Sequence, residues 1–173
     1  MPDAAHYHAV DTLRDGRRIT IRAFAPADRD ALTATVARIS PLSLYRRFFT
    51  IKRTFSDRER EFFLNVDFVD HVALVAWIEE SAQPMIAGGA RYVVVEPGRA
   101  EVALLVLDQY QGQGTGPVLM RHLAGLARAA GLRELFAEVL PENTAMLKVF
   151  ERCGLAMTTT REPEVTHVTL GLD

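Results

Sequence analysis

The chain has 173 residues, 49% of them hydrophobic, and a formal charge of −2, with a pI near 6.2 and a mean hydropathy of +0.04. These values predict one globular unit over residues 1–173 with a real core, and the acidic balance argues against nucleic acid as the main partner. The single cysteine, Cys153, excludes an internal disulfide and suits a reducing cytoplasm; no apolar run approaches the roughly 20 residues of a membrane span, and no leader is expected.

No internal repeat, low-complexity segment or linker interrupts the chain. Residues 1–10 read as a loose extension or an added strand. Asp15-Gly16 is a turn signal between Val10–Leu13 and Ile19–Phe24. Ile19, Ile21 and Ala23 alternate with Thr20, Arg22 and Phe24, the period of a strand. Pro26 opens a helix with Leu32, Val36 and Ile39 on one side, and Pro41 breaks it. A short helix over Leu42–Phe49 and a capped one from about 57 to 65, signalled by Ser56-Asp57-Arg58-Glu59, are predicted next.

From residue 71 the pattern turns to strands: His71–Ile78, Met85–Val95 after a turn at Pro84, and Ala100–Leu107 after the turn Glu96-Pro97-Gly98-Arg99. A helix then carries Leu119, Leu123, Leu126 and Ala130 as a buried stripe and ends at Gly131. Glu134–Leu140 is a strand stopped by Pro141, Thr144–Arg152 a helix ending at Gly154, and Val165–Leu170 a closing strand. This order predicts an α/β (α+β) domain, a mixed central sheet of about six to seven strands with helices on both faces.

Between the strand Ala100–Leu107 and the long helix lies Gln111-Gly112-Gln113-Gly114-Thr115-Gly116. Glycines there admit positive φ and a close backbone approach, and a helix N-terminus favours a phosphate. An ATP-binding loop would need Gly-Lys-Ser or Gly-Lys-Thr, and no lysine is near. A dinucleotide fingerprint would place its third glycine at position 117, which is Pro117. Pro117 suits a first helical turn but offers no N–H. Gln111, Gly114 and Gly116 fill a third pattern, Gln/Arg-x-x-Gly-x-Gly/Ala.

That pattern resembles the signature of the GNAT superfamily of acyl-CoA N-acyltransferases. Asn143-x-x-Met146 with Phe150 and Gly154-Leu155 is similar to the family's late motif, and the element order is similar to the GNAT fold from about Leu13 onward. Leu13-Arg14-Asp15-Gly16, Ile39-Ser40-Pro41 and Tyr45-Arg46-Arg47-Phe48-Phe49 look like the acetyltransferase domain of bacterial Pat-type protein lysine acetyltransferases. Those proteins often add a cyclic-nucleotide domain or a synthetase-like region; within these 173 residues neither is expected. The resemblance implies acetyl-CoA as co-substrate and an acceptor amine, a protein lysine, as partner. It implies a cofactor site at Leu105, Val106, Leu107, Gln111, Gly112, Gln113, Gly114, Thr115, Gly116, Asn143 and Phe150. Asn143 reads equally as a helix N-cap.

Amide formation needs a neutral amine. A lysine near its ordinary pKa is neutral in only about one molecule in 2,500 at pH 7, a penalty of about 4.6 kcal/mol, which a general base relieves. Glu101 is the one acid in its apolar strand, 10 positions before Gln111, a spacing close to that of the basic glutamate in lysine-acetylating relatives. Burial is expected to raise its pKa; the alternative is a strand-end glutamate in water, paired with Arg99 or Arg91. Phe150 stands where many of the family carry a proton-donating tyrosine. His6, His8, His71, His122 and His167 have no metal-ligand spacing, and no metal is expected. Trp77, Tyr92 and Phe136 read as core. A small-amine acetyltransferase, a non-catalytic acyl-CoA sensor and a dinucleotide oxidoreductase, with Glu134 20 residues past Gly114, are the rivals. Acceptor, acyl length and oligomeric state have no signal in the sequence.

Overall fold

The computed structural model describes residues 3–38, 65–80 and 82–173. The predicted helices over Leu42–Phe49 and 57–65, together with Ile39 and the break at Pro41, lie outside those residues. Eight strands form one sheet: β1 (His8–Thr12), β2 (Arg18–Ala23), β3 (His71–Glu80), β4 (Gln83–Glu96), β5 (Arg99–Val106), β6 (Glu134–Val139), β7 (Ala156–Arg161) and β8 (Thr166–Gly171). Three described helices accompany it: α1 (Arg29–Val36), α2 (Thr115–Ala129) and α3 (Thr144–Arg152). The strand order is β1-β2-β3-β4-β5-β6-β8-β7.

Every neighbouring pair is antiparallel except β5 and β6. A parallel pair needs a long crossover, and α2 is that crossover. Leu119, Met120, Leu123, Leu126 and Ala127 of α2 are buried against Ile19, Ile21, Leu74, Tyr92, Val102 and Leu104 of the sheet. Ala130, expected in that stripe, is exposed beyond the last turn; Gly131 follows with φ +86 and stops the helix. On the opposite face Phe24, Ala73, Val75 and Ile86 pack with Leu32 and Trp77. Strand β3 is therefore covered on both faces, which explains its unbroken apolar run. Tyr92 sits in the core, whereas Trp77 lies beneath Arg22 and Phe136 beneath Arg99, 4.1 Å from the ring.

Two predicted details differ. Pro84 does not make the turn: it pairs with Glu79 inside β4, and the reversal is at Ala82, with φ +63. Residues 156–161 form an eighth strand that alternation did not reveal, because an edge strand exposed at nearly every position has no apolar face to repeat. Its Thr158-Thr159-Thr160 run was the available signal. At the other edge residues 8–12 are an ordered strand, and Tyr7 and Asp11 fasten it to α2 through His122, 2.5 Å and 3.2 Å from its ring nitrogens.

Candidate active site

Strands β5 and β6 pair at only three positions, Arg99↔Glu134, Ala100↔Leu135 and Glu101↔Phe136. Beyond these they part. Each is held on its far side: β5 pairs with β4 as far as Gly88↔Val106, and β6 pairs with β8 along its whole length. Gly88 lets β4 approach that closely, since a Cβ there would stand 2.6 Å from the Leu105 carbonyl oxygen. The opening between the two strands is a cleft of about 630 Å³.

Backbone direction in the cleft follows from strand alternation. The Leu107 N–H donates to the Ala87 carbonyl at 2.9 Å, so odd-numbered peptide groups of β5 turn to β4. Even-numbered ones turn to β6. Past the splay, those of Val102, Leu104 and Val106 therefore face the cleft. The Val106 carbonyl accepts a hydrogen bond from Gln111 Nε2 at 2.9 Å. Leu107, placed in the cofactor site by the resemblance, commits its N–H to β4, and its side chain is buried.

The glycine segment caps the open end. Gly112 has φ +75 and Gly114, the N-cap of α2, has φ +97. The first intrahelical bond runs from Val118 N–H to Gly114, so the Thr115 and Gly116 amides are left over for a ligand. Gly116 also lets α3 dock: a Cβ there would lie 2.9 Å from Val149 Cγ2. Gln111, Gly112, Gly114, Gly116 and Pro117 line the cleft, as do Leu105, Val106, Asn143 and Phe150. The side chains of Gln113 and Thr115 do not. Gln113 turns to Arg17 and to the Gln109 carbonyl (2.8 Å), and Thr115 is buried, its hydroxyl without a hydrogen-bond partner among the described residues.

Asn143 acts as the N-cap of α3, accepting the Met146 N–H at 3.2 Å. Phe150 is fully buried. The Cys153 thiol donates to the Phe150 carbonyl at 2.9 Å, and burial pushes its pKa up, so it is packed and not a proton source. Glu101 lines the cleft but is exposed, against the expectation of burial. Its strand buries Ala100, Val102 and Leu104 toward α2 and turns Glu101 to the other face. Neither expected cation takes it: Arg99 binds Glu134 (2.7 Å) and Glu96, and Arg91 binds His71 (2.9 Å).

Four charged cleft residues, Arg14, Glu138, Lys148 and Arg152, escaped the sequence reading. Glu138, two residues beyond Phe136, shares the face of Glu101. His167 stands 3.7 Å from it and 3.4 Å from Glu162. Arg14, Lys148 and Arg152 also line the cleft. The i, i+4 spacing of Lys148 and Arg152 was legible as a shared helix face; its orientation toward the glycine segment was not.

A parallel strand pair that parts beneath a glycine-turned helix N-terminus is an arrangement suited to a phosphate-bearing cofactor at the splay. The chain belongs to the acetyltransferase (GNAT) family, whose model matches residues 40–155, and it is an acyltransferase. It is 32% identical to acetyltransferase PA5475 of Pseudomonas aeruginosa over 158 residues, covering 91% of this chain and 84% of that one. It is 33% identical to acetyltransferase Pat of Mycolicibacterium smegmatis over 144 residues, 82% of this chain but only 42% of the relative's length. The crystal structure of the GNAT domain of S. lividans PAT superposes with a TM-score of 0.84 at 32% identity, covering 95% of this chain and 96% of that one.

Proposed function

We propose that the protein transfers an acetyl group from acetyl-CoA directly to an amine, a lysine side chain of a protein. Acetyl-CoA supplies the activated acyl carbon as a thioester. The Thr115 and Gly116 amides and the α2 dipole hold its pyrophosphate. The cleft-facing peptide groups of Val102, Leu104 and Val106 hydrogen-bond the pantetheine arm as a neighbouring strand would, and one of these N–H groups receives the charge developing on the acyl oxygen.

One observation carries the acceptor assignment: Glu101 and Glu138 stand on the same face of the sheet at the splay, with neither paired to a lysine or arginine among the described residues. Such a face attracts an ammonium group. Glu101 takes the proton from it, directly or through one water; the new C–N bond then forms as the C–S bond breaks. Solvent takes the surplus proton from the newly acylated nitrogen and protonates the departing thiolate, because Phe150 has no proton and the Cys153 thiol is held by a carbonyl. The likeness to Pat-type enzymes supports a protein acceptor.

The test is thiol release from acetyl-CoA with a lysine peptide, for the parent and Glu101→Gln. The variant should lose about 10²–10³ in kcat/KM while binding acetyl-CoA as the parent does. Equal rates would remove Glu101 from the mechanism. Release stimulated by small amines but by no peptide would move the acceptor to that class.

A further inference from the structure

The charges along the cleft are segregated. Its carboxylates, Glu101 and Glu138, lie on the strand walls. Its cations, Arg14, Lys148 and Arg152, gather around the glycine segment. Arg14 comes from the β1–β2 turn, and its Nε lies 3.8 Å from where a Cβ on Gly114 would stand. Lys148 and Arg152 come from α3, whose Val149 packs on Gly116 at the first turn of α2. Two separate elements thus bring three cations to one opening.

These cations also differ from their neighbours in having no ion pair among the described residues. Arg17 is bound by Asp15 (2.7 Å), Arg22 by Asp28, Arg99 by Glu134 and Arg121 by Asp11. In a chain of net charge −2, three cations on one cleft without an ion pair among the described residues suit an anionic partner.

The helix terminus does not exhaust the negative charge of the donor. Its dipole amounts to roughly half a unit charge, and Pro117 removes one of its N–H groups. The remaining amides, of Thr115 and Gly116, offer one donor to each phosphate of a pyrophosphate and none to a further phosphomonoester, which carries about two negative charges at pH 7. Coenzyme A has one, on the 3′ position of its ribose. A donor tethered to a carrier protein ends at the pantetheine phosphate and has none.

We propose that Arg14, Lys148 and Arg152 form a phosphomonoester site that selects free coenzyme A thioesters, by their 3′-phosphate, over donors ending at phosphopantetheine. This rests on the acetyl-CoA reading above, and the experiment separates the two. Calorimetry would compare CoA with dephospho-CoA, which lacks only the 3′-phosphate, at about 0.1 M salt. The proteins are the parent, Arg14→Gln, Lys148→Gln, Arg152→Gln, the triple variant, and Arg161→Gln as a control on the distant edge strand β7.

The parent should bind CoA at least about tenfold more tightly than dephospho-CoA, the size of a charge-assisted contact. The triple variant should bind both equally, each single variant should fall between, and Arg161→Gln should match the parent. All substituted side chains are exposed, so melting temperatures should hold. Equal binding of the two compounds by the parent, or an undiminished ratio in the triple variant, would overturn the site while CoA binding stands. Failure of the parent to bind either compound would overturn the site together with the acetyl-CoA reading.

Discussion

His71 should make the protein measurably less stable at pH 5 than at pH 7. It opens β3 at 6% exposure, and its Nε2 lies 2.9 Å from Arg91 Nη1. A guanidinium can only donate, so Nε2 accepts and the ring is neutral. Burial first, and the Arg91 charge second, push its pKa down from 6.5 to about 4. In the unfolded chain the ring takes up its proton as pH falls through 6.5; in the folded chain it resists until about 4. The folded pKa is the lower one, so stability is complete above 6.5 and is lost as pH falls from there toward 4.

Linkage with these two pKa values gives a loss of about 1.8 kcal/mol between pH 7 and pH 5. For a chain of this size that is a fall in Tm of about 4–7 °C. Urea unfolding followed by circular dichroism at both pH values, for the parent and His71→Gln, isolates the effect. Glutamine still accepts from Arg91 but does not titrate. The depressed carboxyls of Asp3, Asp11, Asp15 and Asp67 have an ordinary value of 3.8, so little of their linkage falls above pH 5. The parent should lose about 1.8 kcal/mol more than the variant; equal losses would refute the reasoning. The site should feel this change, because His71, Val93 and Glu101 are cross-strand neighbours in one row.

Two structural substitutions test how the cleft is built. Asn143→Ala removes the cap of α3 and should cost about 0.5–2 kcal/mol of stability; Asn143→Asp should restore most of it, and thermal melts of the three proteins would decide. Gly88→Ala drives a methyl against the Leu105 carbonyl at 2.6 Å and the Val106 Cα at 3.2 Å. Both obstacles are backbone, so it should cost about 1–3 kcal/mol and weaken acetyl-CoA binding by displacing Val106. A Gly88→Ala variant that melts and binds as the parent does would show that β5 can shift freely.

Among the described residues, the order of elements from Asp15-Gly16 to the final strand was legible apart from β7, because most of them carry their own punctuation: a turn dipeptide, a proline, a glycine with positive φ. The glycine segment was legible for the same reason, since Gly112 and Gly114 are required by backbone conformation. What escaped depends on neighbours. The exposure of Glu101 follows from which face of β5 meets α2, and the fate of the Leu107 N–H follows from the register with β4. Glu138 and Arg14 reach the cleft from positions 37 residues after and 87 residues before Glu101. No local pattern records such a meeting.

The cleft itself comes from the pairing on either side of it. Strands β1–β5 form one antiparallel half and β6–β8 another, and only three residue pairs join them in the sheet. Each half satisfies its strands outwardly, so the two inner strands are free to diverge past Glu101 and Phe136. The divergence leaves peptide groups of β5 without a neighbouring strand, an arrangement that proteins normally cover or disrupt. Here α2 closes the sheet face behind the gap, α3 and the glycine segment close its end, and the gap stays open as a slot with strand-like hydrogen-bonding groups along one wall. A ligand that is narrow, extended, studded with amides and terminated by phosphate matches that slot in shape, in hydrogen bonding and in charge. Widening the β5–β6 pairing by a single residue pair would shorten the slot by one such group, so the three-pair register sets the reach of the site.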